Sequence, residues 1–340
     1  MSLPRGQRMK DDCESSLIEH EYDIKQPVRR SWPSFACIGL TAVVAVFGAF
    51  AVTFALGWDF PTKFDQAYSW CNSKISETSR SIPQIDDTGI APRATIWQPA
   101  VGTKWDYRLE YVSTASISGF NVLFLDLFDV GAIDITYLHQ KGVKVVCYFS
   151  AGTAENWRSD YSSFSKTDLG SSVSGWAGEK YVDIRSTNVR NIMIKRLNMA
   201  VTKKCDGVDP DNVDSYANKN GKSLTATDAT SYVNYLADAA HARGLAIGLK
   251  NAPRLISNTI SRMQWSVQEQ CHDEGSCALY APFIKANKPV FNVEYPKGST
   301  SNTVSISATK LAKYCKDSTS KSFSIIIKNL DLDNWIQKCS

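Results

Sequence analysis

The stretch from Cys205 to Asp214 crowds three carboxylates around a proline, directly after a short apolar run. They belong to Asp209, Asp211 and Asp214. Carboxylates held close together repel and raise one another's pKa, so such a cluster is typical of a proton donor, a nucleophile or a grip on a cationic ligand. The alternative is a strand that ends in an Asp-Pro turn, with Asp214 or Asn212 capping the next helix. The surrounding elements must decide between the two interpretations.

Eight short apolar segments are predicted as strands, and most of them are separated by helical or long polar segments. The predicted strands are residues 95–98, 121–126, 144–150, 207–209, 245–250, 265–269, 289–295 and 323–328. Their apolar runs lack clean alternation, which is typical of strands buried on both faces of a parallel sheet. Helical spacing predicts helices over residues 135–142, 189–203 and 225–243.

Eight β/α units within about 250 residues predict a (β/α)8 TIM barrel, an α/β fold. An open doubly wound sheet is the alternative, but no glycine-rich turn follows the first predicted strand. The segment from Tyr181 to Ile184 would make a ninth short strand, and we assign it to a long loop after the third.

Nearly every predicted strand ends in a polar or charged side chain, at the face where TIM barrels place their active sites. These side chains are Gln98, Asp126, Tyr148 with Ser150, Asp209 with Asp211, Lys250 with Asn251, Glu269, and Glu294 with Tyr295. We therefore predict an acidic bowl that also contains Lys250, Trp97 and Tyr148.

A pair of acids across a cleft is what glycoside hydrolysis uses, one to protonate the leaving oxygen and one to act at the anomeric carbon or on a water. Asp211 and Glu269 come from different predicted strands and form the candidate pair. The alternative for Glu269 is a surface position beside Cys271. The alternative for Asp126 and Asp209 is a carboxylate that is hydrogen-bonded to other site residues and does not touch the substrate. The candidate sugar-stacking platforms are Trp97, Trp157 and Trp176, for which a core position is the alternative.

The composition excludes several classes of function. The chain has 340 residues, 43% of them hydrophobic and 21% charged, as in an ordinary globular protein. A formal net charge of +4, without a basic block beside aromatic residues, argues against nucleic-acid binding. With four histidines and no Cys-x-x-Cys pair, we predict no metal and no cofactor.

The nine cysteines point to an oxidising compartment. Cys271 and Cys277 are close enough in sequence for a local bridge, and Cys315 with Cys339 is a second candidate pair. Cys147 lies within an apolar strand pattern, which favours a buried thiol.

The chain before the predicted barrel divides into three parts. Residues 1–33 are polar and mixed in charge, which predicts a disordered cytosolic tail. Residues 34–58 carry no charge and are long enough to span a bilayer as a helix; a cleaved signal peptide is the alternative, although its apolar core is usually shorter. Residues 59–92 predict a stalk, and residues 93–340 the barrel.

The charges around the apolar run predict its orientation. Arg29 and Arg30 precede it and Asp59 follows it, which places the N-terminus in the cytosol. We therefore expect a single-pass type II plasma-membrane protein, monomeric, with its barrel outside the cell or released after cleavage in the stalk.

Eight motifs in order carry a family resemblance, and the first is the Trp97-Gln98 pair. The other seven are Phe124–Asp126, Cys147–Gly152 followed by Glu155–Arg158, Asp183–Arg185, Asp206–Asp214, Gly248–Asn251, Glu269–Cys271 and Val293–Tyr295. Together they resemble glycoside hydrolase family 114, the endo-α-1,4-polygalactosaminidases, over residues 93–340, and the anchor resembles fungal members. Two positions depart from the family pattern: Asp209 stands where many members have Glu, and Gln268 where Asn is frequent.

The resemblance implies retaining-type or transglycosylating cleavage of α-1,4-linked galactosamine by Asp211 and Glu269, with Asp209 in reserve for the role of Asp211. A deacetylated galactosamine polymer carries ammonium groups, so carboxylates such as Asp126 and Asp183 would pair with them and steer the chain. The residues expected to bind this polysaccharide are Trp97, Gln98, Asp126, Tyr148, Ser150, Asp183, Asp209, Asn212, Lys250, Asn251, Glu294 and Tyr295.

Two further hypotheses stay open at this point. One is a barrel hydrolase for another sugar, such as an α-galactosidase. The other is a non-catalytic barrel that tethers a glycan, which would be marked by the loss of a catalytic carboxylate; both Asp211 and Glu269 are present. Fold alone does not separate these functions.

Overall fold

The computed structural model describes residues 95–110, 118–298 and 302–339. The predicted tail, membrane anchor and stalk lie outside these residues. In the part of the chain that is described, no helix is both long and apolar enough to cross a bilayer.

Eight parallel strands and one antiparallel strand form a nearly closed, barrel-like sheet. The parallel strands are β1 (Trp105–Arg108), β2 (Val122–Asp126), β3 (Lys144–Ser150), β7 (Gly207–Asp211), β8 (Ala246–Lys250), β9 (Trp265–Glu269), β10 (Val290–Glu294) and β11 (Ser324–Lys328), and the antiparallel one is β12 (Ile336–Lys338). A separate small sheet contains β4 (Thr153–Glu155), β5 (Leu169–Ser172) and β6 (Glu179–Val182), with β6 in the middle. The barrel strands follow one another in chain order, as in a TIM barrel.

Helices connect most of the parallel strands. They are α1 (Ala132–Gln140), α2 (Thr187–Lys203), α3 (Ala226–His241), α4 (Ile256–Thr259), α5 (Ala281–Lys285) and α6 (Ala308–Cys315). In α3, Thr225 and Asp228 cap each other reciprocally at the N-terminus, and apolar residues at helical spacing face the sheet. The three predicted helices are confirmed as α1, α2 and α3, with shifts at their ends.

The barrel interior is filled by aromatic side chains, which include Trp105, Phe124, Trp265 and Phe291. The indole of Trp265 crosses the floor so closely that a Cβ on Gly207 would approach it to 2.7 Å, and a Cβ on Gly248 would overlap it. A separate apolar layer packs between the strands and the helices. The two glycines are therefore required by close packing against one ring.

The closing edge of the barrel is joined by side chains. Between β1 and β11 the described residues form no strand ladder. Instead, Trp105 Nε1 donates to the carbonyl of Ser324 at 2.8 Å, and Lys328 Nζ lies 3.0 Å from Asp106 Oδ1, both side chains being fully buried. Arg108 holds the other oxygen of Asp106.

Three predictions about elements were wrong. The predicted strand 95–98 is irregular, and the first strand is β1, ten residues later. The segment from Tyr181 to Ile184 begins within β6 rather than in a loop. Cys147 is not a thiol: it forms a disulfide with Cys205, which links β3 to the segment between α2 and β7. The predicted bridges Cys271–Cys277 and Cys315–Cys339 are confirmed.

The close approach at Gly248 generates a stability prediction. Gly248→Ala should destabilise the protein by about 3 kcal/mol, because overpacking a dense core displaces the neighbouring ring. Urea unfolding followed by circular dichroism measures the loss. The loss of stability in the double variant Gly248→Ala with Trp265→Phe should be smaller than the sum of the losses in the two single variants. A Gly248→Ala protein as stable as the parent would contradict the packing described.

Candidate active site

Two carboxylates meet one ammonium group at the carboxyl ends of three neighbouring strands. Asp211 ends β7, Lys250 ends β8 and Glu269 ends β9. Lys250 Nζ lies 3.2 Å from Asp211 Oδ1 and 3.3 Å from Glu269 Oε2. The nearest oxygens of the two carboxylates are therefore at most about 6.5 Å apart, at or below the lower limit of the separation used for inversion at a sugar.

Each carboxylate receives further donors that fix its orientation. Asp211 accepts from the hydroxyl of Tyr148 at 2.9 Å and from the backbone N–H of Asn212 at 2.7 Å. Glu269 accepts from the hydroxyl of Tyr295 at 2.7 Å and from Asn251 Nδ2 at 3.1 Å. Hydrogen bonds of this kind to charged groups are strong and hold the acceptor in place.

The three strand ends share an unusual backbone feature. Asn212, Asn251 and Gln270, which directly follow β7, β8 and β9 respectively, all have positive φ, at 59°, 48° and 56°. Asn tolerates this left-handed region, whereas Gln enters it less readily. Such strain is common at functional sites. Here it turns the chain sharply after each of the three charged residues.

Lys250 is buried beneath the carboxylates. Burial alone would lower the pKa of its ammonium group, but the charges of Asp211, Glu269 and Asp209 outweigh burial and raise that pKa well above its usual value. The ammonium also lies 5.4 Å from the ring centre of Tyr107 and 5.5 Å from that of Tyr148. Lys250 is therefore a fixed positive charge at neutral pH.

Asp209 lies below the pair and is fully buried. Its Oδ2 accepts from the hydroxyl of Tyr107 at 2.9 Å, while Oδ1 receives no hydrogen bond from any described residue. Burial raises the pKa of Asp209 to about 7, with Lys250 opposing the shift and Asp211 adding to it. Asp211, rather than Asp209, lines the cavity above.

A cavity of about 190 Å³ opens over the pair, and we call it the inner cavity. Trp157 and Trp176 lie on its wall together with Glu155, Glu179 and Asp214. Burial raises the pKa of Asp214 to about 6, and the charge of Asp211 adds to the shift. The inner cavity thus combines carboxylates with indole surface.

A second cavity of about 580 Å³, which we call the outer cavity, adjoins the first. Both cavities are lined by Asp214, Asn251 and Glu269. Glu269 therefore stands where the two meet, while Asp211 faces only the inner one. An extended ligand can occupy both cavities and pass Glu269 on the way.

Asp126 supports the wall of the inner cavity without lining it. Arg158 donates to both oxygens of Asp126 and, through Nε, to Glu155 Oε2 at 3.1 Å. Burial raises the pKa of Glu155, and Arg158 opposes that shift. Asp126 thus orients Arg158, which in turn positions Glu155 at the cavity. Asp126 lines neither cavity, and its predicted contact with the substrate stays a prediction.

Three other predicted residues have protein partners of their own. Ser150 Oγ bonds Thr153 Oγ1 at 2.5 Å and accepts from Asn212 Nδ2 at 3.0 Å, so it holds the loop after β7. Glu294 is fully buried, and its Oε1 lies 2.8 Å from His272 Nδ1. Asp183 lies outside both cavities and pairs with Arg185 at 2.9 Å.

Trp97 and Gln98 lie at the opposite end of the barrel. The ring of Trp97 is 5.7 Å from that of Trp265, the first residue of β9. Gln98 Nε2 donates to the carbonyl of Gln264, which directly precedes the same strand. Both residues therefore lie at the amino end of the barrel and line neither cavity. The strand predicted over residues 95–98, which would have placed Gln98 at its carboxyl end, does not form.

Sequence reasoning missed several residues of the site. Tyr107 and Glu179 were not among the predicted site residues, and Glu155 and Asp214 entered only as parts of motifs. The signal for Tyr107 was the alternation of Trp105, Asp106, Tyr107 and Arg108, which is typical of a strand. Glu179 had no comparable signal, because its position depends on the small sheet.

The chain matches a family model and known structures. The model of glycoside-hydrolase family GH114 matches residues 87–340. The crystal structure of Aspergillus fumigatus Ega3 in complex with galactosamine is similar at 50% sequence identity, with a TM-score of 0.70, over 72% of this chain and 97% of that chain. The glycoside hydrolase domain of PelA from Pseudomonas aeruginosa, at 13% identity and a TM-score of 0.55 over 71% and 99%, shows the fold alone. No curated protein sequence matches.

The raised pKa of Asp209 predicts a pH-dependent stability. In the folded protein Asp209 holds its proton up to about pH 7, whereas in the unfolded chain it loses it near pH 4. The contribution of this proton uptake to the free energy of unfolding is therefore complete below about pH 4 and falls as the pH rises to about 7. Asp209→Asn should gain stability relative to the parent across this range, by on the order of 3 kcal/mol.

Thermal unfolding of both proteins at a series of pH values measures this difference. Asp238→Asn is the matched control, because Asp238 is exposed and pairs with Arg262 at the surface; it should show no such trend. Parallel pH profiles for Asp209→Asn and the parent would contradict the burial of an acidic proton at this position.

Proposed function

The chain belongs to glycoside-hydrolase family GH114 and is a glycoside hydrolase, and we propose that it cleaves α-1,4-linked galactosamine within a cationic, partially deacetylated polymer. The observation that carries the proposal is the contact of Asp211 and Glu269 with one buried ammonium at the strand ends. The galactosamine bound to the similar Ega3 structure supports the choice of sugar.

The position of each carboxylate suggests its role. Glu269 lines both cavities, so it stands where the glycosidic oxygen between two bound sugars would lie, and we assign it as the general acid and base. Asp211 lines only the inner cavity, so it faces the sugar bound there, and we assign it as the nucleophile. The short separation of the pair supports a retaining mechanism.

In this mechanism Asp211 attacks the anomeric carbon while Glu269 gives its proton to the departing oxygen. The bond from carbon to the leaving sugar breaks, and an ester to Asp211 forms. Glu269, now ionised, then takes a proton from a water that attacks the same carbon, and this releases Asp211. Lys250 Nζ lies within 3.3 Å of an oxygen of each carboxylate, so its charge stabilises whichever of the two is ionised at each step.

The charge of the inner cavity supports a cationic substrate. Glu155, Glu179 and Asp214 lie near the catalytic pair, and Lys250 is the cation among the described residues of the lining. A protonated amine gains from this surplus of carboxylates, whereas a neutral galactoside does not. The indole of Trp176, 43% exposed at the cavity wall, offers a flat surface to a sugar ring.

Asp211→Asn and Glu269→Gln test the proposal. Each should lower the rate of cleavage of α-1,4-galactosamine polymer by about a thousandfold, because each removes an ionisable group from the reacting centre. Mass spectrometry of the released oligomers measures the rate. Asp238→Asn, on the exposed surface, should cleave like the parent.

Other outcomes would identify other functions. Binding of the polymer without cleavage by the parent would indicate a glycan tether. Cleavage of neutral α-galactosides, with none of galactosamine polymers, would indicate a hydrolase for another sugar.

We also propose that residues 34–58 anchor the enzyme in the plasma membrane, with the barrel outside the cell. The uncharged run, preceded by Arg29 and Arg30, supports this arrangement. The full chain should stay in the membrane fraction after a carbonate wash, and external protease should reach the barrel. Val44→Arg with Phe47→Arg should release the protein, since charges at the centre of a span oppose insertion. A parent protein recovered entirely in the soluble fraction, uncleaved, would contradict the anchor.

A further inference from the structure

Asp214 and Glu269 are the two charged residues that line both cavities. Asp214 lies shortly after β7, which ends at Asp211. A substrate that extends from the inner cavity into the outer one therefore passes Asp214 as well as Glu269. The roles proposed above for Asp211 and Glu269 leave Asp214 without a function.

The carboxylate of Asp214 does not serve the turn that follows it. Asp214 directly precedes a short helical turn, Ser215–Ala217, where an aspartate side chain commonly caps the backbone. Here its side chain forms no cap hydrogen bond, whereas its backbone carbonyl accepts from the N–H of Ala217 at 2.9 Å. Capping, which the sequence left open as an alternative for this residue, does not account for the carboxylate.

Two other carboxylates on the wall of the inner cavity are held by protein donors. Arg158 donates to Glu155 Oε1 at 3.2 Å and to Glu155 Oε2 at 3.1 Å. Glu179 Oε1 accepts from the hydroxyl of Thr153 at 3.0 Å. Both carboxylates therefore already have partners within the protein.

Asp211 and Glu269 are held as well, because Lys250 Nζ lies within 3.3 Å of an oxygen of each. Asp214 differs from all four carboxylates. Within the part of the chain that the structure describes, no other residue's side chain forms a hydrogen bond or an ion pair with it. A ligand can thus bind Asp214 without displacing a protein donor, and a cation is the partner that a carboxylate favours most.

The chemistry proposed for Asp211 brings the substrate nitrogen to this part of the cavity. In galactosamine the nitrogen is bonded to C2, which is the neighbour of the anomeric carbon that Asp211 attacks. Asp211 and Asp214 line the same cavity, and the charge of Asp211 acts on Asp214 strongly enough to raise its pKa. A protonated amine beside both carboxylates would be attracted by each of them.

We propose that Asp214 binds the C2 ammonium group of the galactosamine in the inner cavity and so determines specificity for an unacetylated sugar at the cleaved bond. Acetylation removes the charge of the nitrogen, so an acetylated sugar would leave this carboxylate without its ion pair. Glu155 and Glu179 add to the negative charge of the wall but keep their protein partners. This inference rests on the proposed function.

Binding of α-1,4-linked tetragalactosamine tests the inference. Isothermal titration uses the full-length protein in mild detergent with Glu269→Gln, which prevents cleavage. Adding Asp214→Asn should weaken binding at about pH 7 by about tenfold or more, because this change keeps the size of the side chain and removes its charge. Affinity for α-1,4-linked tetragalactose, which has a hydroxyl in place of each ammonium, should change less than threefold. Equal losses for the two sugars would indicate a structural role and overturn the inference.

Glu274→Gln in the same Glu269→Gln protein is the matched charge control. Glu274 is exposed and lines the outer cavity but not the inner one, so the variant removes one negative charge from the cleft at another place. It should weaken binding of tetragalactosamine less than threefold. A loss equal to that of Asp214→Asn would indicate a diffuse effect of charge and overturn the assignment to Asp214.

The parent protein separates the failure of this inference from the failure of the proposed function. If the parent neither binds nor cleaves tetragalactosamine, the proposed function and this inference are both wrong. If it cleaves the sugar and Asp214→Asn binds it as tightly as the protein with Asp214, only this inference is wrong.

The pH dependence of binding is a second readout, which a structural role would not change. Burial raises the pKa of Asp214 to about 6, and the charge of Asp211 adds to the shift. Lys250 and Glu269 also act on Asp214 by charge, and Tyr181, Tyr216 and Tyr280 lie near it.

Asp214 is thus mostly protonated at about pH 5 and mostly ionised at about pH 7. In the Glu269→Gln protein the affinity for tetragalactosamine should therefore rise about threefold or more between these values, because only the ionised carboxylate pairs with an ammonium group. Adding Asp214→Asn should remove this rise. A rise of the same size in both proteins would overturn the inference.

Discussion

The ammonium of Lys250, held between Asp211 and Glu269, is the interaction on which the rest of the site depends. Two carboxylates this close would repel each other strongly in a partly dry cavity, and an unpaired buried lysine would be costly. Together the three groups largely balance one another's charge. The hydroxyls of Tyr148 and Tyr295 donate to the carboxylate oxygens that Lys250 does not contact, Asp211 Oδ2 and Glu269 Oε1. The sheet supplies the geometry, because β7, β8 and β9 are adjacent and parallel, and Lys250 lies opposite Val267, two residues before Glu269.

The environment beneath Lys250 gives this arrangement its electrostatic strength. The barrel floor is closed by the ring of Trp265, which fits only because Gly207 and Gly248 have no side chains. Above that floor, Tyr107 and Asp209 fill the space under the ammonium. Water is thereby kept away from the lower side of the pair, so that the charges interact in a low dielectric. The same burial disfavours the ionised form of Asp209 and raises its pKa to about 7.

The sequence rule that strand ends carry the chemistry identified the charged centre but not its surroundings. Lys250 and Glu269 follow from it, because each ends a strand-like run long enough to recognise, whereas Asp211 was selected from the crowding of carboxylates after a short run. The same rule also selected Asp126 and Glu294, and the sequence of a single strand does not reveal that Arg158 and His272 contact their carboxylates. These partners lie 32 and 22 residues away along the chain, and their contacts are set only by tertiary structure.

The first strand was missed for a related reason. β1 has only four residues, and two of them, Asp106 and Arg108, are charged, so it resembles a loop more than a buried strand. Those charges are compensated at the closing edge of the barrel, where Lys328 pairs with Asp106.

The closing edge between β1 and β11 also supports the candidate active site. Tyr107 lies between the two charged residues of β1, and its hydroxyl donates to Asp209 beneath Asp211 and Glu269. At the same edge, Leu109 N–H donates to the carbonyl of Leu332 at 2.9 Å, and the Cys315–Cys339 bridge ties the segment after β12 to α6. Tyr107 is thus held by the β1–β2 ladder on one side, whereas on the other side ion pairs and a disulfide take the place of a ladder. Loosening this edge would therefore disturb the support of Lys250 and also the wall of the inner cavity, which Leu109 and Leu332 line.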